Sequence, residues 1–289
     1  MTESFNEIPK VFACQGESLM GVLHHVSNDQ KIGVVIIVGG PQYRVGSHRQ
    51  FVLLARYLAK QKIPVLRFDY RGMGDSSGTL HDFDSVKDDI RAAIDVLMNA
   101  QPSLEKVVLW GLCDAASASL MYAGSDKRVS GLILLNPWVR TEAGEARAYL
   151  KHYYIKRFLT KAFWAKVFSG KFNLYASLRS FLSLTKAVRQ SSEKLSAANQ
   201  DDDARPLPER MLSGLKQFAG QSLVILSGQD LTADQFRDLV ASSADWRNTL
   251  KQKSVELKNV EEANHTFSSE NWRGLVEKMS CEWIKGLKR

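Results

Sequence analysis

The sequence predicts a doubly wound, mostly parallel α/β sheet carrying a helical insertion. Three observations predict it: five short apolar runs that read as strands, segments of helical period between them, and one long interval, 139–220, with no strand-like run. The strand candidates are IGVVIIVGG (32–40), PVLRFDY (64–70), KVVLWG (106–111), SGLILLNP (130–137) and SLVILSG (222–228). Nearly continuous apolar strands are expected when both faces of a parallel sheet are covered. Between them, SHRQFVLLARYLAKQK and DSVKDDIRAAIDVLMNA space their apolar residues as helices do, and the second opens with an Asp and a Ser suited to capping. A last strand-like run, SVELKNV, precedes a closing helix in SSENWRGLVEKMSCEWIKGL. The reading is therefore a core of 1–138 and 221–289, interrupted by a helical, basic cap insertion at 139–220 that ends in an exposed loop around 201–208. No internal repeat is present.

The composition is that of a globular chain: 289 residues, 44% hydrophobic and 24% charged. Cys14, Cys113 and Cys281 are few, distant and odd in number, which excludes a disulfide framework and a CxxC metal site. No metal and no cofactor is expected. The N-terminus has no basic segment leading into an apolar stretch, and no apolar run approaches the roughly 20 residues of a spanning helix. A cytoplasmic protein is the expectation. The charge is uneven: 151–190 holds nine Lys and Arg with no Asp or Glu, against a net charge of +8 for the whole chain, so the remainder is close to neutral.

The chemistry is carried by Cys113. With 106–111 a strand and a helix opening soon after, this residue falls on the tight turn at the carboxyl edge of the sheet, where open α/β sheets place ligands. Gly111-Leu112-Cys113-Asp114-Ala115 has small residues two before and two after the thiol, the requirement of a nucleophile elbow. A helix N-terminus behind it also favours a thiolate. Taken alone, Cys113 could equally be a small buried filler. The partners arrive in the order nucleophile, acid, histidine: Asp230 just beyond a late strand, then His265 before the final helix. Of six histidines only His265 lies beyond Asp230; Asp234 and Asp238 are fallback acids. An oxyanion hole would draw one backbone N–H from Asp114 and a second from the loop after the early strand. Pro41 has no N–H, so Gly40 or Gln42 is the second donor.

Elbow, acid and histidine order, the early glycine loop and FDYRGMGDSSG together resemble the α/β-hydrolase superfamily over about 15–140 and 215–289. VGGPQYRVGSHRQF, FDYRGMGDSSG and WGLCDAASA more closely resemble the exosortase A system-associated hydrolases of the type called hydrolase 1. That resemblance implies a link to bacterial exopolysaccharide and protein-sorting machinery. Three positions depart from the superfamily pattern: Cys for Ser at 113, Ala for Gly at 115, and Val38 where a His commonly precedes the glycine loop. The first resembles cysteine-nucleophile members such as dienelactone hydrolases.

Other motifs are set aside. Gly72, Gly74 and Gly78 approach a dinucleotide fingerprint, but the third glycine is one place late and no helix opens there; Walker A and HExxH patterns are missing. The basic, aromatic stretch 151–190 reads first as a cap with a solvated face, second as a cap touching anionic lipid at the inner membrane, and last as a nucleic-acid surface. The expected activity is that of an esterase, thioesterase or acyltransferase working through a covalent acyl-enzyme. Its substrate would be a small-molecule, lipid-linked or saccharide-linked acyl group. The alternative is a non-catalytic binding or scaffold module of an envelope-associated assembly.

Overall fold

The computed structural model describes residues 5–27, 29–40, 42–139, 205–252 and 254–287. The chain divides into two compact units, Met1–Val139 with Met211–Arg289, and Arg140–Arg210. The basic segment 151–190, and with it the expected cap, lies outside the described residues. Residues 211–220, which the sequence assigns to the insertion, cluster with the first unit.

Eight strands form one sheet: β1 (Asn6–Cys14), β2 (Glu17–His25), β3 (Ile32–Ile37), β4 (Val65–Phe68), β5 (Lys106–Leu112), β6 (Val129–Leu135), β7 (Gln221–Gln229) and β8 (Val255–Asn264), in the order β1-β2-β4-β3-β5-β6-β7-β8. From β4 to β8 every neighbouring pair is parallel, while β1–β2 and β2–β4 are antiparallel. The apolar runs are the buried central strands; β4 and all of β3 after Ile32 are buried, as two-sided coverage requires. The hairpin β1–β2 is the part that the apolar-run criterion passes over. Its β1 face alternates between exposed and half-buried, and its two-residue turn, Gln15-Gly16, has both φ angles positive (51° and 83°), the geometry of a tight hairpin.

Seven helices are described: α1 (Gln50–Lys60), α2 (Lys87–Ala100), α3 (Asp114–Ala123), α4 (Leu207–Gln217), α5 (Leu231–Ser242), α6 (Ala244–Gln252) and α7 (Glu270–Gly286). The expected loop 201–208 is corrected at its end. Leu207 and Pro208 already belong to α4, because proline is tolerated in the first helical turn, where its missing N–H has no partner to lose. Helices α1 and α7 meet beside Trp110, whose Nε1 donates to Ser280 Oγ (3.2 Å) and whose ring meets Phe51 edge-on at 5.7 Å.

The strand order positions the site. β4 and β5 flank β3 on opposite sides, so the chain reverses its direction of winding there, and the loops after β3 and β5 open side by side at the carboxyl ends of the sheet. Those loops begin at Val38 and at Cys113.

Candidate active site

Cys113 occupies a backbone conformation that L-residues rarely adopt, φ 63° and ψ −124°, between β5 and α3. Such a residue costs on the order of 1–3 kcal/mol unless its surroundings fix it. Here they do. The Cys113 N–H donates to Leu135 O (2.9 Å), and its carbonyl accepts from Ala116 N (3.1 Å) and Trp138 N (3.2 Å). The turn also demands smallness two residues earlier, since a Cβ on Gly111 would sit 2.6 Å from the Ala115 carbonyl. This is the nucleophile-elbow geometry.

Asp230 ends β7 and caps α5, its carboxylate accepting from Thr232 N and Ala233 N, each at 3.1 Å. The same group meets His265 Nδ1 at 2.9 Å. Burial raises the Asp230 pKa, but the hydrogen bond and charge of His265, with the two backbone donors, outweigh it and the net direction is down. Of the fallback acids, Asp234 pairs with Arg237 at 3.0 Å on the exposed side of α5, and Asp238 lies a turn further along that helix. Asp230 is the carboxylate that reaches His265.

A residue with no sequence signal organises this half of the site. Asn136, fully buried with φ 42°, follows β6. Its Nδ2 donates to Ser227 Oγ (2.8 Å) and to the His265 carbonyl (3.0 Å), and its Oδ1 accepts from Ser227 N (2.9 Å). One amide thereby ties the end of β6 to the end of β7 and to the histidine loop.

On the other side, the glycine loop is held by charge. Arg44 pairs with the fully buried Asp69 and with Asp75 (2.5 Å), and Arg44 N also donates to Asp69 Oδ1 (2.5 Å). Behind it, Arg67 donates to Arg44 O (3.1 Å) and to His24 Nε2 (3.0 Å). Arg71 forks onto buried Asp89 of α2, with a shortest contact of 2.7 Å. The stretch FDYRGMGDSSG thus anchors loops around the elbow.

The helix N-terminus that favours a thiolate is outweighed at Cys113. Burial, then the Asp114 carboxylate, push the Cys113 thiol up to about 12, with Asp230 adding to the rise against a backbone hydrogen bond from Asp114 that lowers it. At neutral pH the group is a thiol that needs a base. The glycine loop also differs in detail from the sequence reading. The Gly40 N–H points to the elbow, 2.7 Å from Asp114 Oδ2, while the Gln42 side chain accepts from Ser47 N (3.0 Å) within its own loop. Val38 is buried. Cys14 and Cys281 are buried free thiols away from the elbow. Among the described residues no group of His, Cys, Asp and Glu is arranged to hold a metal ion, and no helix is long and apolar enough to cross a membrane.

Residues 29–270 match the family described as serine aminopeptidase, S33. No curated protein matches the sequence. Among solved structures the chain is similar to the esterase Pf2001 of Pyrococcus furiosus (15% identity, TM-score 0.64, covering 98% of this chain and 93% of that one). It is also similar to Est1E of Butyrivibrio proteoclasticus, solved with ferulic acid (14%, 0.61, 96% and 98%). A third is XC6422 of Xanthomonas campestris, described as an α/β serine hydrolase without lid (15%, 0.56, 96% and 95%). At these identities the likeness is one of fold.

Proposed function

Since the chain belongs to the serine aminopeptidase, S33, family of α/β-hydrolases, we propose that it is a cysteine-nucleophile acyl hydrolase or acyltransferase acting on esters or thioesters through Cys113, His265 and Asp230. The observation that carries the reading is the strained elbow at Cys113, with the Asp230–His265 pair at the same edge of the sheet. His265, held through Nδ1 by Asp230, takes the thiol proton on Nε2 as sulfur attacks the acyl carbon. The carbonyl electron pair moves onto oxygen, which backbone N–H groups at the elbow receive. Collapse expels the alkoxide or thiolate, protonated by His265, and leaves an acyl-thioester. Water or an acceptor hydroxyl then releases the acyl group, with His265 as base. The thiol does not have to be ionised beforehand, because proton transfer accompanies attack.

The resemblance to exosortase A system-associated hydrolases supports a substrate linked to bacterial exopolysaccharide, and the run of nine cations in 151–190 supports contact of the cap with anionic lipid. A scaffold role is the second reading, favoured by the high pKa of the Cys113 thiol. Intact-protein mass spectrometry after incubation with a p-nitrophenyl ester separates the two. A stoichiometric acyl adduct that vanishes in Cys113→Ala and persists in Cys14→Ala and Cys281→Ala supports the enzyme. An adduct that survives in Cys113→Ala sinks the assignment of the nucleophile, and a wild type inert to a panel of activated esters favours the scaffold.

A further inference from the structure

The residue after the nucleophile does more than lend its N–H. The Asp114 carboxylate folds back over the start of α3: Oδ2 accepts from Gly40 N at 2.7 Å and Oδ1 accepts from Ala115 N at 2.9 Å; burial raises its pKa, and these backbone donors oppose the rise without cancelling it. The fit is built into the opposite loop as well. A Cβ on Gly39 would lie 2.1 Å from Asp114 Oδ1, so only glycine leaves room for the carboxylate there. The Asp114 N–H is the first oxyanion donor that the elbow pattern implies, and the Gly40 N–H is one of the two candidates for the second, with Gln42.

We propose that Asp114 is a specificity-determining residue whose carboxylate occupies the oxyanion cradle at rest, so that a substrate carbonyl enters only by displacing it. This rests on the proposed acyl chemistry for its meaning, though not for its geometry. A carboxylate oxygen and a tetrahedral oxyanion present the same charge to the same donors, and two anions do not share them. The resident group therefore selects against weakly bound neutral esters. It favours substrates whose remaining contacts are strong enough to drive it out. Its charge also adds to burial in holding the neighbouring sulfur neutral, which slows adventitious alkylation and oxidation.

Four groups bear on the Cys113 thiol or on Asp114 itself: Asp114 on α3, Asp230 after β7, His265 after β8, and the Tyr70 hydroxyl after β4. Of these, Asp114 is the one whose carboxylate accepts from the Gly40 N–H. The test measures the pH dependence of Cys113 alkylation by iodoacetamide, read at the peptide level so that Cys14 and Cys281 do not contribute, in wild type, Asp114→Asn and Asp114→Ala. Removing a unit charge a few ångströms from sulfur lowers the midpoint by about one pH unit or more. In Asp114→Ala the emptied cradle accepts a small carboxylate, so millimolar formate raises the midpoint again; wild type, already filled, does not respond. Acylation by a neutral p-nitrophenyl ester becomes at least about tenfold faster in Asp114→Ala, the change expected when a competing anion is removed. A midpoint unchanged or raised in both variants, with formate inert, overturns the proposal. Asp114→Asn preserves shape and carries the test if the alanine variant does not fold. The outcomes also separate from those of the acyl reading: a shifted midpoint with no acyl adduct in any variant leaves the cradle filled by Asp114 and removes the enzymatic assignment.

Discussion

The two flanks of Cys113 are secured by different chemistry. The glycine loop on the β3–β4 side is fixed by ions: Arg44 on buried Asp69, Arg67 behind it on His24, and Arg71 on Asp89. On the β6–β8 side the contacts to Asp230's strand and to the histidine loop run through a neutral amide, Asn136, bonded to Ser227 and to the His265 carbonyl, with Arg237 of α5 donating to the Ser227 carbonyl from outside. The difference has a functional logic. The Asn136 amide restrains the backbone, and Arg237 reaches Asp234 and the Ser227 carbonyl, so the side-chain partner of the Asp230 carboxylate is the His265 imidazole. In the proposed reaction the glycine loop supplies only N–H groups, so formal charges can hold it from behind.

The contrast can be broken from either flank. The largest effect is chemical: Asp230→Asn is expected to lower kcat by about 10⁴ with little change in Tm, because the amide cannot stabilise the imidazolium or hold its tautomer. Ester turnover and a melting curve check it together. Next comes Arg44→Met, which strands the carboxylate of Asp69 in the interior and should cost about 3–5 kcal/mol in urea unfolding. Adding Asp69→Asn should recover part of that loss, and no recovery would mean that packing, rather than charge, holds the loop.

A third prediction tests whether the ionic flank is the acid-sensitive one. Burial first, and then the Arg67 charge, lower the His24 pKa from 6.5 to about 4. The unfolded chain therefore binds a proton near pH 6.5 that the folded chain refuses until about pH 4. The stability that neutral His24 contributes is complete above pH 6.5 and is lost as pH falls toward 4, by about 3 kcal/mol in all. Unfolding curves at stepped pH should show this slope, and His24→Gln, which retains an acceptor for Arg67, should flatten it. On the neutral flank, Asn136→Gly keeps the left-handed backbone and deletes the amide. It should cost about 2 kcal/mol and lower kcat several-fold, with the pH slope unaffected. The smallest effect belongs to Asp234→Asn, an exposed pair with Arg237, where turnover should stay within about twofold of wild type.

How much of this was legible depends on where each partner lies in the chain. β3 to β7 are readable because burial on both faces writes an apolar run into the sequence, and the elbow is readable because Gly111 and Ala115 act within two residues of Cys113. The order Cys113, Asp230, His265 singled out one histidine from six, and the geometry pairs that residue with Asp230. Asn136 could not be seen this way. Its partners lie 91 and 129 residues away, and an isolated Asn after a strand has the look of a turn residue. Asp114 was read only for its N–H, since nothing local tells that Gly39 leaves space for its carboxylate. The helix N-terminus behind Cys113 is visible in sequence, whereas the desolvation that raises its pKa is not.

The strand order also fixes a timetable for synthesis. Six adjacent strands, β1-β2-β4-β3-β5-β6, come from the first 135 residues, so most of the sheet and the elbow can assemble while the rest of the chain is still being made. β6 then presents a bare edge until the ribosome has passed the whole of 140–210 and delivered β7. During that interval the nascent chain carries the Cys113 turn without Asp230 or His265, and an open strand edge able to pair with a neighbouring polypeptide. The last two strands close that edge and bring Asp230 and then, 35 residues later, His265 to the end of the sheet that already carries Cys113.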